Sequence, residues 1–322
     1  MMTSPLFSVI IPAFNREIML ENCLQSIGQQ TYRPHEVVVC DDGSTDNSTA
    51  VATGTLNSLG LKHEVFSVKN GGPSRARRLA VERSSGNFLL FLDSDDLWDP
   101  DYIETVAGAL HESPSINVTV MDFREVCGNA TLRNSKFKSA PDNFWPTVGT
   151  PVKYGYLGNR KRLFIETLGF QPCFPSGLGI SRGLYDQIGG IDISSQRLLS
   201  EDSHLTRKAF LHGKVYFIDR TLVTIQLHKN NRSAESNEQY NYARKLFGKA
   251  YVLRRMAKEE NLDNEQSQNI TREIFKAEHA ALHALYWSGN RASFMKALHE
   301  RPYHILRDPK LLLKAASTLF PF

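Results

Sequence analysis

At 322 residues, with 41% hydrophobic and 22% charged residues, the chain can bury a substantial core and has an ordinary globular composition. A net charge of +4 is too small to argue for nucleic acid as a partner, and no apolar run is long enough to span a bilayer. Cys23, Cys40, Cys127 and Cys173 form no CxxC pair or metal spacing; Cys23 and Cys40 fall in apolar segments, so buried free thiols in a reducing compartment are expected. A strand beginning by Phe7 leaves no room for a signal peptide, and a cytoplasmic protein is expected.

Phe7-Ser8-Val9-Ile10-Ile11-Pro12 is a short apolar run ended by proline, the pattern of a first strand, with Ala13-Phe14-Asn15-Arg16 as the loop after it. Residues 19–29 then place Leu20, Cys23, Leu24 and Ile27 on one helical face. Glu36-Val37-Val38-Val39-Cys40 is a second buried strand, with Asp41-Asp42-Gly43-Ser44-Thr45-Asp46 at its exit. Asp46 has an ordinary role as cap of a helix running to about residue 58. Asp41 and Asp42 have none, and two adjacent acids at a strand end suit the hydroxyl and amide donors of a ligand.

A third strand over residues 63–68 leads to Asn70-Gly71-Gly72-Pro73 and a helix whose first turns carry Arg75, Arg77 and Arg78. This is neither a Walker loop nor a dinucleotide GxGxxG, yet free N–H groups and arginines at a helix start suit phosphate. Phe88-Leu89-Leu90-Phe91-Leu92 then runs straight into Asp93, Asp95 and Asp96. The run reads as a strand buried on both faces, with acids at its carboxyl end, where open α/β sheets place their ligand crevice. Oxygen ligands there suit Mg2+ or Mn2+ with a diphosphate completing the shell; the alternative is a polar turn ahead of a helix started by Asp99-Pro100. Strands alternating with helices predict a mainly parallel sheet, which carries all three polar clusters to one edge.

Ile11-Pro12-Ala13-Phe14-Asn15, the Asp-Asp-Gly-Ser-Thr-Asp run at 41–46, Asn70-Gly71-Gly72-Pro73 with Ala76-Arg77, and Leu92-Asp93-Ser94-Asp95-Asp96 together resemble the family 2 glycosyltransferases. The resemblance is close over residues 7–112 and looser to about 230. It implies the α/β GT-A fold, a Rossmann-like, mainly parallel central sheet flanked by helices. It also implies a nucleotide-diphosphate sugar donor, most often of UDP, with Mn2+ or Mg2+ and inversion at the anomeric carbon. By position, Pro12, Phe14 and Asp42 resemble base-binding residues, and Asn15, Asp41, Asn70, Arg77, Asp93 and Ser94 would complete the donor nucleotide site. In that pattern Asp95 is the main metal ligand and Asp93 more often faces the ribose. Arg78 departs from it, since the family frequently has asparagine there.

A helix over 103–110 and a strand over 117–122 follow by periodicity. Residues 128–160 show none, and a long acceptor-side loop is expected, with Trp145 and Tyr154 either stacking on sugar or pinning the loop to the core. Ile188-Gly189-Gly190-Ile191-Asp192 and Glu201-Asp202 resemble the family's Gly-Gly-Phe-Asp turn and Glu-Asp motif. The resemblance implies that Asp202 is the catalytic base and that Glu201 orients it or the acceptor; the residues alone also fit dipole complementation at a helix start. No Gln-x-x-Arg-Trp follows, which favours single-residue, non-processive transfer. Residues 215–218 and 222–227 read as two short strands ending at His228, a structural residue or a further metal ligand. His279 and His283 lack the HExxH pattern and read as helix-face residues.

From about Ser236 the composition becomes that of long helices, broken near 261–264 and at Gly289-Asn290. A GT-A domain over 1–235, with a nucleotide-sugar half (1–112) and an acceptor half (113–235), and a helical extension over 236–322 are therefore expected. From Arg291 onward six basic residues stand against two acidic ones, together with Leu311, Leu312, Leu313, Leu319 and Phe320, which suits a peripheral contact with an anionic membrane face, self-association or packing on the catalytic domain. The acceptor expected on this reading is a saccharide or lipid-linked saccharide of surface-polysaccharide assembly, receiving a hexosyl or N-acetylhexosaminyl group. Two rival readings remain. A sugar-phosphate nucleotidyltransferase would want a glycine-rich, lysine-bearing loop where Ala13-Phe14-Asn15-Arg16 stands, and a silent sugar-nucleotide-binding subunit would be expected to have lost Asp95 or Asp202.

Overall fold

Apolar residues two apart share a strand face, so a continuous apolar run becomes a strand only where both faces are covered. The first part of the chain does this. In the computed structural model, which describes residues 5–194, 202–228 and 237–319, β1 (Phe7–Ala13), α1 (Glu17–Gly28), β2 (Glu36–Asp41), α2 (Ser48–Ser58), β3 (His63–Ser67), α3 (Pro73–Arg83) and β4 (Phe88–Phe91) alternate. Val9, Ile11, Val37, Val39, Leu90 and Leu92 point into one core with the α1 residues Leu20, Cys23 and Leu24. Their neighbours Ile10, Val38, Cys40, Leu89 and Phe91 point into another with Ala76 and Ala80 of α3.

The unit continues through β5 (Leu97–Trp98), α4 (Tyr102–Glu112), β6 (Val118–Cys127), β7 (Ala130–Arg133), α5 (Phe144–Val148), β8 (Gly149–Val152), β9 (Gly155–Gly158) and α6 (Arg160–Gly169). It ends with β10 (Leu178–Ser181), α7 (Arg182–Gln187), α8 (Asp202–His212) and β11 (Val215–Gln226). The strand order is β3-β2-β1-β4-β10-β6-β11-β9-β8, with β5 and β7 pairing beside β11 and β6. β1, β2, β3 and β4 pair in parallel, as do β6 and β11. β10 lies antiparallel between β4 and β6, so the sheet is mixed but largely parallel at its core.

Two expectations are corrected here. Residues 128–160 are not one long loop: they hold β7, a 3-10 turn at Phe137–Ser139, α5, β8 and β9. Trp145 stacks on Tyr156 at 4.8 Å and its indole N–H donates to the Phe137 carbonyl at 3.1 Å, so this ring serves the core. The Tyr154 ring, partly buried, packs against the core on the α1 face of the sheet, and its backbone N–H donates to the Tyr216 hydroxyl at 3.0 Å. The expected strand pair over 215–227 is one strand, β11, whose register with β6 shifts between Ile218 and Val223. Such a bulge breaks the two-residue period without ending the strand.

The second described unit, residues 237–319, is α-helical: α9 (Glu238–Glu259), α10 (Asn264–Trp287), α11 (Arg291–His299), α12 (Tyr303–Arg307) and α13 (Pro309–Leu319). A capping box opens α10, with the Asp263 carboxylate accepting from Gln266 N at 2.8 Å and the Gln266 side chain accepting from Asp263 N at 3.0 Å. Leu282, Leu285, Phe294, Leu298 and Leu311 form its apolar core. Within it the Glu278 carboxylate, 1% exposed, is held by Arg254 (2.9 and 3.0 Å), Arg301 (3.3 Å) and Tyr303. A carboxylate so enclosed is tolerated because each lone pair meets a donor.

Candidate active site

Ala13 of β1 lies opposite Asp41 of β2, and Ile10 opposite Phe91 of β4, so the residues following these three strands emerge at one edge. Asp42, 2% exposed, accepts from Gly71 N at 2.8 Å with one carboxylate oxygen and from Gly72 N at 2.7 Å with the other. Asn70 Nδ2 returns a bond to the Asp42 carbonyl at 3.0 Å. Asp42 therefore anchors the glycine turn that starts α3. Between them Gly43 adopts φ +80°, and a Cβ there would meet Asn70 N at 2.9 Å, so only glycine lets the two loops approach.

Asn15, at φ 50°, ties the β1 loop to the same place: its N–H donates to Ser44 Oγ at 2.8 Å and its Oδ1 accepts from Thr45 N at 2.8 Å. Asp41 accepts from the Ser44 hydroxyl and, at 3.2 Å, from Ser44 N. These bonds consume the local polar groups and leave Phe14 exposed at 44%, while Pro12 before it is buried. An aromatic ring held in the open beside fixed hydrogen-bonding loops offers a face for a flat heterocycle.

The acids after β4 alternate in burial, Asp93 and Asp95 partly exposed, Ser94 and Asp96 buried. Arg77 on α3, itself 8% exposed, bonds Asp93 Oδ1 at 2.5 Å. Asp95 Oδ2 meets the Arg16 guanidinium at 3.3 Å and His228 Nε2 at 3.0 Å. Asp93 and Asp95 thus face different partners, and His228 at the end of β11 is brought to Asp95. An oxygen donor and an imidazole side by side suit Mn2+, and the donor set fits a hard cation that takes its remaining ligands from phosphate.

Asp96 does different work. Its carboxylate accepts from Ser176 Oγ at 2.5 Å and from Gln226 N at 3.1 Å, and Ser176 Oγ also accepts from Asp93 N at 3.1 Å. One buried carboxyl thereby fixes the turn after β4 to Pro175–Gly177 and to the end of β11. Burial, then the neighbouring Asp93 and Asp95, push its pKa well above the usual carboxylate value. Sequence reading placed Asp96 only among the acids suited to a cation and gave Arg16 and Ser176 no role, because their partners lie far away along the chain.

Asp202 is the first residue of α8. Burial raises its pKa; the Arg77 charge pulls it back and Asp93 pushes it up, so all three groups act on one another. Cys173 is buried in reach of the same carboxylate, which with burial drives its thiol pKa upward. Glu201 lies outside the described residues.

The glycosyl transferase family 2 profile matches residues 8–189, more than half of the chain, and the chain belongs to that family. GlyA, a glycosyltransferase of Streptococcus pneumoniae, is 28% identical over 248 residues, covering 76% of this chain and 34% of its own. TarS of Staphylococcus aureus, a poly(ribitol-phosphate) β-N-acetylglucosaminyltransferase, is 32% identical over 138 residues, covering 42% of this chain and 24% of its own. The chain thus spans about a third or less of the length of these two relatives. Among solved structures, residues 1–349 of S. aureus TarS with UDP-GlcNAc superpose with a TM-score of 0.63 at 19% identity, covering 97% of this chain and 90% of that one. A mannosyltransferase of Pyrobaculum calidifontis with GDP-Man and Mn2+ gives 0.60 at 17% identity, covering 99% and 88%. At these identities the superpositions establish the α/β GT-A fold followed by C-terminal helices.

Proposed function

We propose that the protein transfers a sugar from a nucleotide-diphosphate donor, a UDP-sugar, to a hydroxyl of a saccharide or lipid-linked saccharide, one residue at a time and with inversion. The observation that carries this reading is the gathering at one sheet edge of the Asp42-anchored glycine turn, the Asp93–Arg77 pair and the Asp95–His228 pair, a donor-type site. The UDP assignment is supported by the sequence likeness to TarS and by the nucleotides in the TarS structures.

On this reading Phe14 stacks on the base, and Asp42 acts chiefly by holding the Asn70-Gly71-Gly72 turn against it. Arg77 leaves or shares Asp93 to meet the donor, with Asn15 and Asp41 fixing the loops around it and Ser94, buried next to Asp93 in the chain, completing the donor side. Asp95 and His228 would hold Mn2+ or Mg2+, with Asp93 joining them once it parts from Arg77, and the cation when bound neutralises charge on a diphosphate leaving group. Asp202 takes the acceptor proton as the hydroxyl attacks the anomeric carbon, Glu201 orienting it. Its raised pKa suits this role, since a stronger base holds the proton better. The stereochemistry is testable by NMR of the product formed from an α-linked UDP-sugar and a saccharide acceptor: a β-glycoside is expected, and an α-glycoside would reject inversion.

Peripheral membrane contact through the helical segment is part of the proposal. Leu306, Leu312 and Leu313 are 86%, 56% and 71% exposed beside the basic Lys310, a mixture that suits an anionic lipid surface better than water. Replacing the three leucines by glutamine should abolish co-sedimentation with phosphatidylglycerol vesicles. Binding that survives the change would remove the membrane claim.

A further inference from the structure

The helical unit holds a side-chain cluster that nucleotide-sugar chemistry does not use. His279 and His283 lie one turn apart on α10, hence on one face. Their Nε2 atoms stand 3.5 and 2.9 Å from the same oxygen, Oδ2 of Asp308, in the junction between α12 and α13. The other Asp308 oxygen accepts from Lys310 N at 3.0 Å, which fixes the carboxylate plane and leaves Oδ2 turned to the two imidazoles. The Phe275 ring stacks on His279 at 5.7 Å, holding that ring in place. One ligand atom from each of the three residues lies within 4.8 Å of the others, a closeness that no other group of three His, Cys, Asp or Glu reaches among the described residues.

We propose that His279, His283 and Asp308 form a Zn2+ site, with water in the fourth position, that clamps α10 to the α12–α13 junction. Zinc bonds of about 2.0–2.2 Å in a tetrahedron put neighbouring ligand atoms about 3.3 Å apart. The observed 2.9 and 3.5 Å bracket that separation. Two imidazoles and one carboxylate favour zinc over the harder Mn2+ and Mg2+, which sets this cluster apart from Asp95. A carboxylate already oriented by a backbone N–H is the support such a ligand needs.

The bland account is that Asp308 merely accepts hydrogen bonds from two histidines. Lys314 separates the two accounts. Its Nζ lies 2.6 Å from His283 Nδ1, and an ammonium there can only donate. It therefore keeps the imidazole proton on Nε2, facing Asp308. Zinc on Nε2 requires the proton on Nδ1, so Lys314 must withdraw, and Lys314 is a built-in competitor of the metal. A glutamine at 314 accepts from Nδ1–H and removes the competition.

The test is a zinc titration of the full chain, stripped with EDTA and desalted, in competition with a colorimetric chelator. The Asp95→Ala background keeps the acidic site from contributing. One equivalent of zinc is expected to bind. His283→Gln and Asp308→Asn should each weaken it by about tenfold or more, and Lys314→Gln should tighten it several-fold. The gain in Lys314→Gln is one that misfolding cannot mimic. No bound equivalent, or an equivalent indifferent to His283→Gln, Asp308→Asn and Lys314→Gln, would overturn the proposal.

Discussion

Asp202→Asn is expected to lower kcat by ~10²–10⁴-fold while leaving donor affinity close to that of the wild type. The amide keeps the shape and the α8 start but cannot accept the acceptor's proton. The pH profile gives a second handle. A base acts ionised, so transfer falls as pH drops through its pKa, and burial places that limb above the ordinary aspartate value. Arg77 pulls this pKa down and Asp93 pushes it up. Arg77→Gln should therefore move the acid limb to higher pH, and Asp93→Asn should move it to lower pH, whatever each does to the maximal rate. Stability follows the same sign. A folded pKa above the unfolded one means that stability falls as pH rises between the two and stays lower above both. At neutral pH the Tm of Asp202→Asn should equal or exceed that of the wild type. A variant transferring sugar at the wild-type rate, or an acid limb unmoved by both neighbours, would contradict the assignment.

Asp95→Ala should remove metal-dependent nucleotide binding by more than ~100-fold, beyond the ~10–100-fold that changes behind a ligand usually cost. Asp95 Oδ2 is the meeting point of Arg16 at 3.3 Å and His228 at 3.0 Å, so the substitution deletes the anion that gathers both. His228→Ala should cost less, because the carboxylate remains. Isothermal titration with a nucleoside diphosphate, with and without Mn2+, reads both effects. Equal affinity for Asp95→Ala and wild type in the presence of Mn2+ would show that the cation is held elsewhere.

The half of the sheet that carries the donor-type residues was legible because its strands are unbroken apolar runs ending in acids, glycine or proline. Periodicity failed where strands are short and half exposed. β7, β8 and β9 have four residues each; β8 and β9 carry glycine or proline at two positions apiece and β7 lies almost wholly at the surface, so none shows a period-two signal. The antiparallel insertion of β10 between β4 and β6 left no local mark either, since Leu178-Gly179-Ile180-Ser181 reads alike in either direction. At the site, motifs located Asp42, Arg77, Asp93 and Asp95, yet not what each one touches. That Asp42 spends both oxygens on Gly71 and Gly72, and that Asp96 is the buried tie to Ser176 and Gln226, depends on pairings across 29 to 130 positions of chain. His279 and His283 were legible as neighbours on a helix face, but Asp308, 25 residues after His283, was not legible as their partner.

Every role proposed above rests on a nucleotide-diphosphate site at the sheet edge, completed by a cation. Thermal unfolding against a panel of nucleoside diphosphates, each with and without Mn2+, tests it most directly, since a ligand bound only by the folded state must raise Tm. A rise with UDP that needs Mn2+, exceeds that of the other nucleotides and vanishes in Asp95→Ala is the predicted result. No rise with any nucleotide, or one that persists undiminished in Asp95→Ala, would contradict it.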